Sequence, residues 1–217
     1  MANKLLTSKL YQSFLAFDKK IVRGQIYSVR TRADFIYYVE KGAVSIYNYE
    51  DCGKKQKNIA FSQDLIGFEG LFGRNTYNDY AQTLTESVTV IPVDIRDFQT
   101  RMAKDFDLCI AFTHYLEQQR QLYRNRFVTR ASMTSEDFLI QYLEYLAYKI
   151  GQPMGYEVLV PIMPNHSAIA DILSISRQTV TSTLNKLKKR NSIYYDRKKL
   201  IIRHPEGKVI NNGVAQG

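Results

Sequence analysis

The spacing of apolar residues changes twice along the first 130 positions. Near the N-terminus Leu6, Leu10 and Phe14 recur at four-residue intervals, which predicts a helix over 3–17. From 21 to 95 the pattern changes to short runs rich in Val, Ile, Tyr, Phe and Thr. Such runs predict strands of an antiparallel sandwich or barrel. The glycines that separate them are Gly24, Gly42, Gly53, Gly67 and Gly73.

A helical pattern returns after 97 and ends in a long stretch without Gly or Pro. This stretch predicts a helix of over 20 residues. One face alternates by four and three residues, as in a seam shared by two helices, and predicts homodimerisation. A helix packed on its own sandwich is the alternative. The predicted seam consists of Leu108, Phe112, Tyr115, Gln119, Leu122 and Arg126.

A new unit begins near 133, so we predict three parts: a sensor domain over 1–106, a helix over 107–132 and a third domain over 133–217. Thr134 or Ser135 caps the first helix of the third part, and Gly151 ends it. One short strand is predicted within 153–164, and a hairpin is predicted from 193–195 and 200–202. The buried stripe of the helix is Phe138, Leu139, Tyr142, Leu143, Leu146 and Ile150.

Residues 165–190 predict two short helices joined by a tight turn. Asn165 or Ser167 is placed to cap the first helix, and Ser176 the second. Ile169, Ile172 and Leu173 form the apolar face of the first helix, while Val180, Leu184 and Leu187 form that of the second. This pattern is typical of a helix-turn-helix, although an ordinary helical hairpin inside a core would share it.

Charge distinguishes these two interpretations. Ten basic and two acidic residues between 177 and 208 leave a net charge of +8, compared with +9 for the whole chain of 217 residues. The basic residues spread over a helix, its exit and the next hairpin, without the strongly apolar opposite face of a membrane-surface helix. A phosphate backbone is therefore the expected partner.

The remaining composition is that of a globular protein, with 45% hydrophobic and 24% charged residues. No run of eighteen apolar residues and no cleavable leader pattern occurs, so we expect a cytoplasmic protein without a membrane partner. The two cysteines, Cys52 and Cys109, are too far apart in sequence for a zinc motif or a disulfide framework.

Catalytic chemistry is not indicated. The three histidines, His114, His166 and His204, all lie outside the strand region, which excludes a cluster of imidazole ligands there. Neither a nucleophile elbow, a phosphate loop nor a dinucleotide fingerprint occurs. We therefore expect a protein that is not an enzyme and holds neither metal nor cofactor.

Three segments resemble one family. The run 176–180, SRQTV, is similar to the recognition helix of the Crp/Fnr regulators, 37–44 resembles their first sandwich hairpin, and 66–72 resembles their ligand-pocket segment. The resemblance covers about 10–205. It implies an α+β chain with an N-terminal antiparallel β-roll or sandwich like the cyclic-nucleotide-binding domains. A long dimerisation helix and a C-terminal winged helix-turn-helix complete that fold. It also implies a homodimer that binds a near-palindromic promoter site in double-stranded DNA and affects the recruitment of RNA polymerase.

Matching the family's recognition helix assigns base reading to Arg177, Gln178 and Ser182. Arg pairs with guanine and Gln with adenine, whereas Ser discriminates little, so the half-site should keep one guanine and otherwise favour A and T. Ser174 replaces the usual turn glycine and should be left-handed at a cost of about 1 kcal/mol. The expected phosphate contacts are Ser176, Thr179, Thr181, Lys186, Lys188, Lys189 and Lys199.

The ligand-pocket segment departs from the family's nucleotide-binding pattern. Phe68 follows Gly67 and displaces Glu69 by one residue, and the later segment contains Asn78 and Asp79 but no cation. A bound phosphate would lack charge-assisted hydrogen bonds. We therefore expect independence of cyclic nucleotide.

Other sensing chemistries have little support in the sequence. Two cysteines cannot supply the usual four ligands of an iron–sulfur cluster, and haem is unsupported. The chain resembles the divergent Gram-positive branch that includes the regulator PrfA. An unidentified small-molecule effector or a redox role for Cys52 stays open.

A function from another class also stays open. A ligand-binding or protein-interaction module with a degenerate winged helix would keep the same pattern of elements. Selection of a palindromic sequence from random DNA separates the two hypotheses, because charge alone gives only salt-dependent binding.

Overall fold

The glycine-separated runs of the N-terminal half form two antiparallel sheets. The computed structural model describes residues 2–51, 53–196 and 198–203, with the backbone alone for 2–7 and 123–132. Its contacts divide the chain into two units, Met1–Phe127 and Val128–Gly217. The strands of the first unit are β1 (Lys20–Val22), β2 (Gln25–Tyr27), β3 (Phe35–Lys41), β4 (Val44–Glu50), β5 (Gly53–Ala60), β6 (Leu65–Ile66), β7 (Tyr80–Thr83) and β8 (Val88–Asp94).

The strand order is β1-β8-β3-β6 in one sheet and β2-β7-β4-β5 in the other. This antiparallel β-roll confirms the predicted fold class. Strand β6 was not predicted, because a strand of two residues is too short for an alternating pattern. The helices of this unit are α1 (Ala2–Phe14), α2 (Ile95–Lys104) and α3 (Phe106–Ser132), and a 3₁₀ turn covers Phe68–Phe72.

Strand β3 is covered on both faces. Ile36 and Tyr38 join the core on the helix side, whereas Tyr37 and Val39 pack into the core between the sheets. This follows from the alternation of side chains along a strand. The helices contribute Phe14, Phe98, Leu108 and Phe112 to the helix-side core.

The predicted seam of the long helix needs correction. Leu108, Phe112 and Tyr115 of α3 are 2%, 6% and 8% exposed and belong to the helix-side core of their own domain. The Tyr115 hydroxyl accepts a hydrogen bond from the Leu65 backbone N–H at 2.8 Å. These three residues are therefore not available to a partner. Gln119 and Leu122 are half-buried, and the side chain of Arg126 lies outside the described residues.

The second unit begins within α3, whereas the sequence predicted a boundary near 133. Its elements are α4 (Ser135–Ile150), β9 (Gln152–Met154), β10 (Glu157–Val160), α5 (His166–Leu173), α6 (Arg177–Lys189), β11 (Ile193–Tyr195) and β12 (Leu200–Arg203). The strands form one sheet in the order β11-β12-β10-β9. There are two strands where one was predicted. Strand β9 was missed because all three of its residues are exposed and show no apolar alternation.

The core of this unit joins the three helices and the sheet. Leu139 and Leu146 of α4, Ile169 of α5, Leu184 of α6 and Leu200 of β12 are all fully buried. Thr134 caps α4 by accepting a hydrogen bond from the Asp137 N–H, and Gly151 follows the last residue of the helix, as predicted. Ile150 and Ile172, expected in buried stripes, are only half-buried.

Candidate nucleic-acid interface

Side-chain caps fix the geometry between α5 and α6. The Asn165 carboxamide accepts a hydrogen bond from the Ala168 N–H at 2.8 Å, and the Ser176 hydroxyl accepts one from the Thr179 N–H at 2.9 Å. Between the helices Ser174 adopts the left-handed conformation with φ 52° and ψ 45°, as expected for a residue in place of the turn glycine. These local interactions set where α6 begins and which of its side chains face outward.

The three residues assigned to base reading lie on the exposed face of the first two turns of α6. Arg177, Gln178 and Ser182 are all exposed. Within the described part of the chain, the side chains of Arg177 and Gln178 have no hydrogen bond or ion pair. The Ser182 hydroxyl donates to the Thr179 carbonyl at 3.0 Å. Two long donor side chains therefore project freely from this end of the helix, and the third residue offers mainly an acceptor.

The residues assigned to phosphate contacts include exposed lysines and hydroxyl groups that already take part in hydrogen bonds. Lys188, Lys189 and Lys199 are exposed. The Thr181 hydroxyl donates to the Arg177 carbonyl at 2.9 Å, so its proton is not available to a phosphate.

Two further hydroxyls contact each other. The Ser176 and Thr179 hydroxyl oxygens are 2.8 Å apart, and Ser176 also caps α6. Their assignment to phosphate contacts stays a prediction, but neither hydroxyl projects freely.

Lys186 is paired within its own domain. Its ammonium group and the Arg190 guanidinium both contact Glu136 in the first turn of α4, and the Arg190 Nη1–Glu136 Oε1 distance is 3.1 Å. Sequence analysis missed this acidic partner, because Glu136 and Lys186 are 50 residues apart in the chain. The cations line an open cleft of about 600 Å³ together with Ser182, Asn185 and Lys189.

The hairpin of β11 and β12 forms the predicted wing beside α6. The Asp196 carboxylate accepts hydrogen bonds from the Lys198 and Lys199 N–H groups at 2.7 and 3.0 Å. These two bonds hold the pKa of Asp196 below its usual value. The backbone hydrogen bonds fix the turn from which Lys199 projects.

A tyrosine connects the wing to α6. The Tyr195 hydroxyl donates to the Asn185 carboxamide at 3.1 Å, and the Lys188 ammonium lies 5.3 Å from the centre of the Tyr195 ring. His166 of α5 lies beside the same ring, and its Nδ1 is 2.9 Å from the Thr181 hydroxyl. Burial and the nearby Arg177 guanidinium lower the pKa of His166, which favours the neutral imidazole.

The predicted effector segment lies against a stack of tyrosines. Gly67 has a φ of 72°, and a Cβ there would lie 3.0 Å from the Tyr77 ring and 3.2 Å from the Tyr27 ring. The Tyr27 and Tyr77 ring centres are 4.1 Å apart, and Tyr37 stacks on Tyr27 at 5.8 Å. Sequence analysis missed these rings, which come from three separate strands and loops and are brought together only by the fold.

Charges from elsewhere in the β-roll reach this segment. Lys57 of β5 pairs with Asp79 at 2.6 Å, and Arg74 donates to the Asn78 carboxamide at 3.2 Å. The run 77–81 itself contains no cation, but Arg74 lies just before it in sequence and the fold brings Lys57 to it. Glu69 Oε2 is buried and has no hydrogen-bond partner among the described residues, and burial raises the pKa of this carboxyl above its usual value. Phe68 is half-buried beside it.

The remaining candidate groups are the two cysteines and possible metal ligands. Cys52 lies outside the described residues, and the Cys109 thiol donates to the Met102 carbonyl at 3.1 Å. Over the described ranges there is no group of three or more His, Cys, Asp or Glu side chains placed to hold a metal ion. Among the helices that the structure describes, none combines the length and apolar character needed to cross a membrane.

Comparison with known proteins identifies the class of domain that this geometry defines. Residues 139–207 match the profile of the Crp-like helix-turn-helix domain, so the second unit contains such a domain. With the β-roll before it, the chain has the two-domain fold of Crp/Fnr regulators.

Individual relatives agree with this class. The chain is 22% identical over 175 residues to the global nitrogen regulator of Synechocystis sp., covering 80% of this chain and 78% of that protein. The structure of FixK2 from Bradyrhizobium japonicum has a TM-score of 0.73 at 14% identity, covering 87% of this chain and 93% of that one. The c-di-GMP-responsive regulator CLP of Xanthomonas campestris has a TM-score of 0.66 at 18% identity, covering 91% of this chain and 99% of that one.

Proposed function

We propose that this protein is a homodimeric, sequence-specific DNA-binding transcription regulator of the Crp/Fnr family. The observation that carries the proposal is the exposed start of α6, where Arg177 and Gln178 project without partners in the described part of the chain. Cations at Lys188 and Lys189 follow on the same helix. Side chains at the start of a recognition helix reach base edges in the major groove, while surrounding cations neutralise phosphates.

The side chains at the start of α6 support a definite base preference. The Arg177 guanidinium can donate two hydrogen bonds to O6 and N7 of guanine, and the Gln178 carboxamide can pair with N6 and N7 of adenine. Ser182 discriminates little, since its hydroxyl proton already goes to the Thr179 carbonyl. The proposed half-site contains one guanine in an otherwise A/T-rich sequence.

The homodimer is proposed to form along the outward face of α3. Phe106 is 76% exposed and Ile110 is 43% exposed, and the two lie one helical turn apart. Gln119 and Leu122 are half-buried and lie on the opposite face of α3, in line with Leu108 and Tyr115, so a contact through them would be a separate one further along the helix. An exposed apolar pair on a helix is suited to contact with the same surface of a second copy.

A dimer would present two copies of α6 to half-sites about one turn of DNA apart. RNA polymerase is the partner that a regulator bound beside a promoter would then contact. Because the proposed binding partner is chromosomal DNA, we propose that the protein is located in the cytoplasm.

The β-roll is proposed to act without cyclic nucleotide. The stacked rings of Tyr27 and Tyr77 occupy the space against Gly67, and Glu69 and Asp79 place two carboxyl groups beside them. The two cations near this segment already have partners, since Lys57 pairs with Asp79 and Arg74 donates to Asn78, so neither is free for a nucleotide phosphate. This supports the proposed PrfA-like branch. It also supports an effector that, where one exists, is an unidentified small molecule with chemistry different from that of a cyclic nucleotide.

Selection of bound duplexes from a random DNA pool tests the proposed function. The expected product is a palindrome whose half-sites each contain one guanine and are spaced by about one helical turn. Retention of DNA without any enriched sequence, with a steep salt dependence alone, would contradict the proposal. That result would favour the interaction module with a degenerate winged helix. Sedimentation of the protein with and without the selected duplex checks the dimer.

A further inference from the structure

One acidic residue lies among the cations of α6. Glu136 contacts Lys186 through Oε2 and Arg190 through Oε1, the latter at 3.1 Å. Lys186 of α6 and Arg190, the residue that follows the end of that helix, are four residues apart and project to the same side, so a single carboxylate reaches both. Glu136 has 24% of its side chain exposed, compared with 49% for Lys186 and 58% for Arg190.

The cleft beside this ion pair network has the composition of an anion site. Its lining contains three cations, Lys186, Lys189 and Arg190, and two neutral polar side chains, Ser182 and Asn185. Of the three cations, only Lys189 has no ion-pair partner within the residues that the structure describes. The Glu136 carboxylate thus contacts two of the three cations and offsets one unit of their positive charge, in the place where a phosphate oxygen would bind them.

We propose that Glu136 competes with the DNA phosphate backbone for Lys186 and Arg190 and thereby lowers DNA affinity. The inference rests on the proposed function, because it assigns the cleft to DNA phosphate. A phosphate entering the cleft either replaces the carboxylate or lies close to a charge of its own sign. Because exposed ion pairs are weak, the exchange is readily made, and Glu136 reduces binding without preventing it.

The matched pair of variants is E136Q and E144Q. Both remove one negative charge from α4 and keep the size of the side chain, but Glu144 is exposed and is not among the groups that pair with α6. Fluorescence anisotropy with a selected duplex and a shuffled duplex, over a series of salt concentrations, gives the affinity and its salt slope. If one phosphate contact is gained, E136Q steepens the slope by about 0.9 and raises affinity for both duplexes by up to roughly eightfold at about 0.1 M salt. E144Q leaves both quantities near the wild-type values.

A second background tests whether Glu136 acts through the two cations. With Lys186→Ala and Arg190→Ala combined, the addition of E136Q should change neither affinity nor slope, because no paired cation remains to be released. A gain that persists in this background, or E136Q binding identical to that of E144Q, overturns the proposal. Weaker binding by E136Q at an unchanged slope also overturns it and assigns the ion pairs a purely structural role.

Heparin chromatography separates this inference from the proposed function. Heparin is a polyanion without base sequence, so E136Q should elute at a higher salt concentration than both wild type and E144Q. If no palindrome is selected but this shift occurs, the proposed function fails while the competition of Glu136 for the two cations stands. If a palindrome is selected but the shift and the steeper slope are absent, only the inference fails.

Discussion

Arg177→Ala provides the sharpest test of how α6 reads DNA. The side chain is exposed and has no hydrogen bond or ion pair in the described part of the chain, so its removal should leave folding stability almost unchanged. The substitution should instead weaken the complex with DNA. A bidentate contact with guanine contributes about 1–3 kcal/mol of discrimination. The dissociation constant for the selected duplex should therefore rise roughly 5-fold to 150-fold.

The assay compares three proteins on three duplexes. Wild type, Arg177→Ala and Lys188→Ala are titrated against the selected site, the same site with its guanine replaced, and a shuffled sequence. Arg177→Ala should bind the first two duplexes equally, because it no longer distinguishes guanine. Lys188→Ala should weaken binding to all three by a similar factor and reduce the salt slope by about 0.9. Equal losses on specific and shuffled DNA for Arg177→Ala would refute base reading by this residue.

Four further predictions concern folding, acidity and the β-roll. Leu184→Ala leaves a cavity in a fully buried position and should destabilise the second unit by about 2–5 kcal/mol, measured by chemical denaturation. Ser176→Ala removes the cap of α6 and should cost about 0.5–2 kcal/mol, while Ser176→Asp should restore most of it. The pKa of His166 is lowered from 6.5 in the folded protein, so the unfolded chain takes up the proton first as the pH falls. Stability should decrease as the pH falls through 6.5, and His166→Gln should flatten that decrease in melting curves. Cyclic AMP, cyclic GMP and glutathione are tested by thermal melting, where a ligand at a hundred times its dissociation constant would add about 2.7 kcal/mol. No shift is expected with the two nucleotides, and a clear shift with cyclic AMP would refute nucleotide independence.

The helix-turn-helix was predictable because its signals are local. Asn165 and Ser176 lie within three residues of the N–H groups that they cap, and the apolar spacing of Val180 and Leu184 fixes the buried face of α6. The left-handed Ser174 was expected from the resemblance, because it stands where the family usually has glycine in the turn. Each of these features depends on neighbours in the sequence, which is why no tertiary information was needed.

The parts that were missed depend on residues far apart in the chain. An apolar stripe at four- and three-residue spacing is the same whether a helix packs on a partner or on its own domain. The burial of Leu108 and Tyr115 against the β-roll therefore could not be read from the stripe. The contact of Tyr27 with Tyr77 and the pairing of Glu136 with Lys186 each join residues 50 positions apart.

The burial of β3 on both faces has a consequence for how the first unit unfolds. Ile36 belongs to one core and Val39 to the other, and both are 0% exposed, so neither core can come apart while the other keeps its packing around this strand. Amide hydrogens of β3 should therefore exchange only through global opening, at the slowest rates in the β-roll. A change in the packing of the stacked tyrosines would reach the start of α3 through β3 alone, because this one strand belongs to both cores.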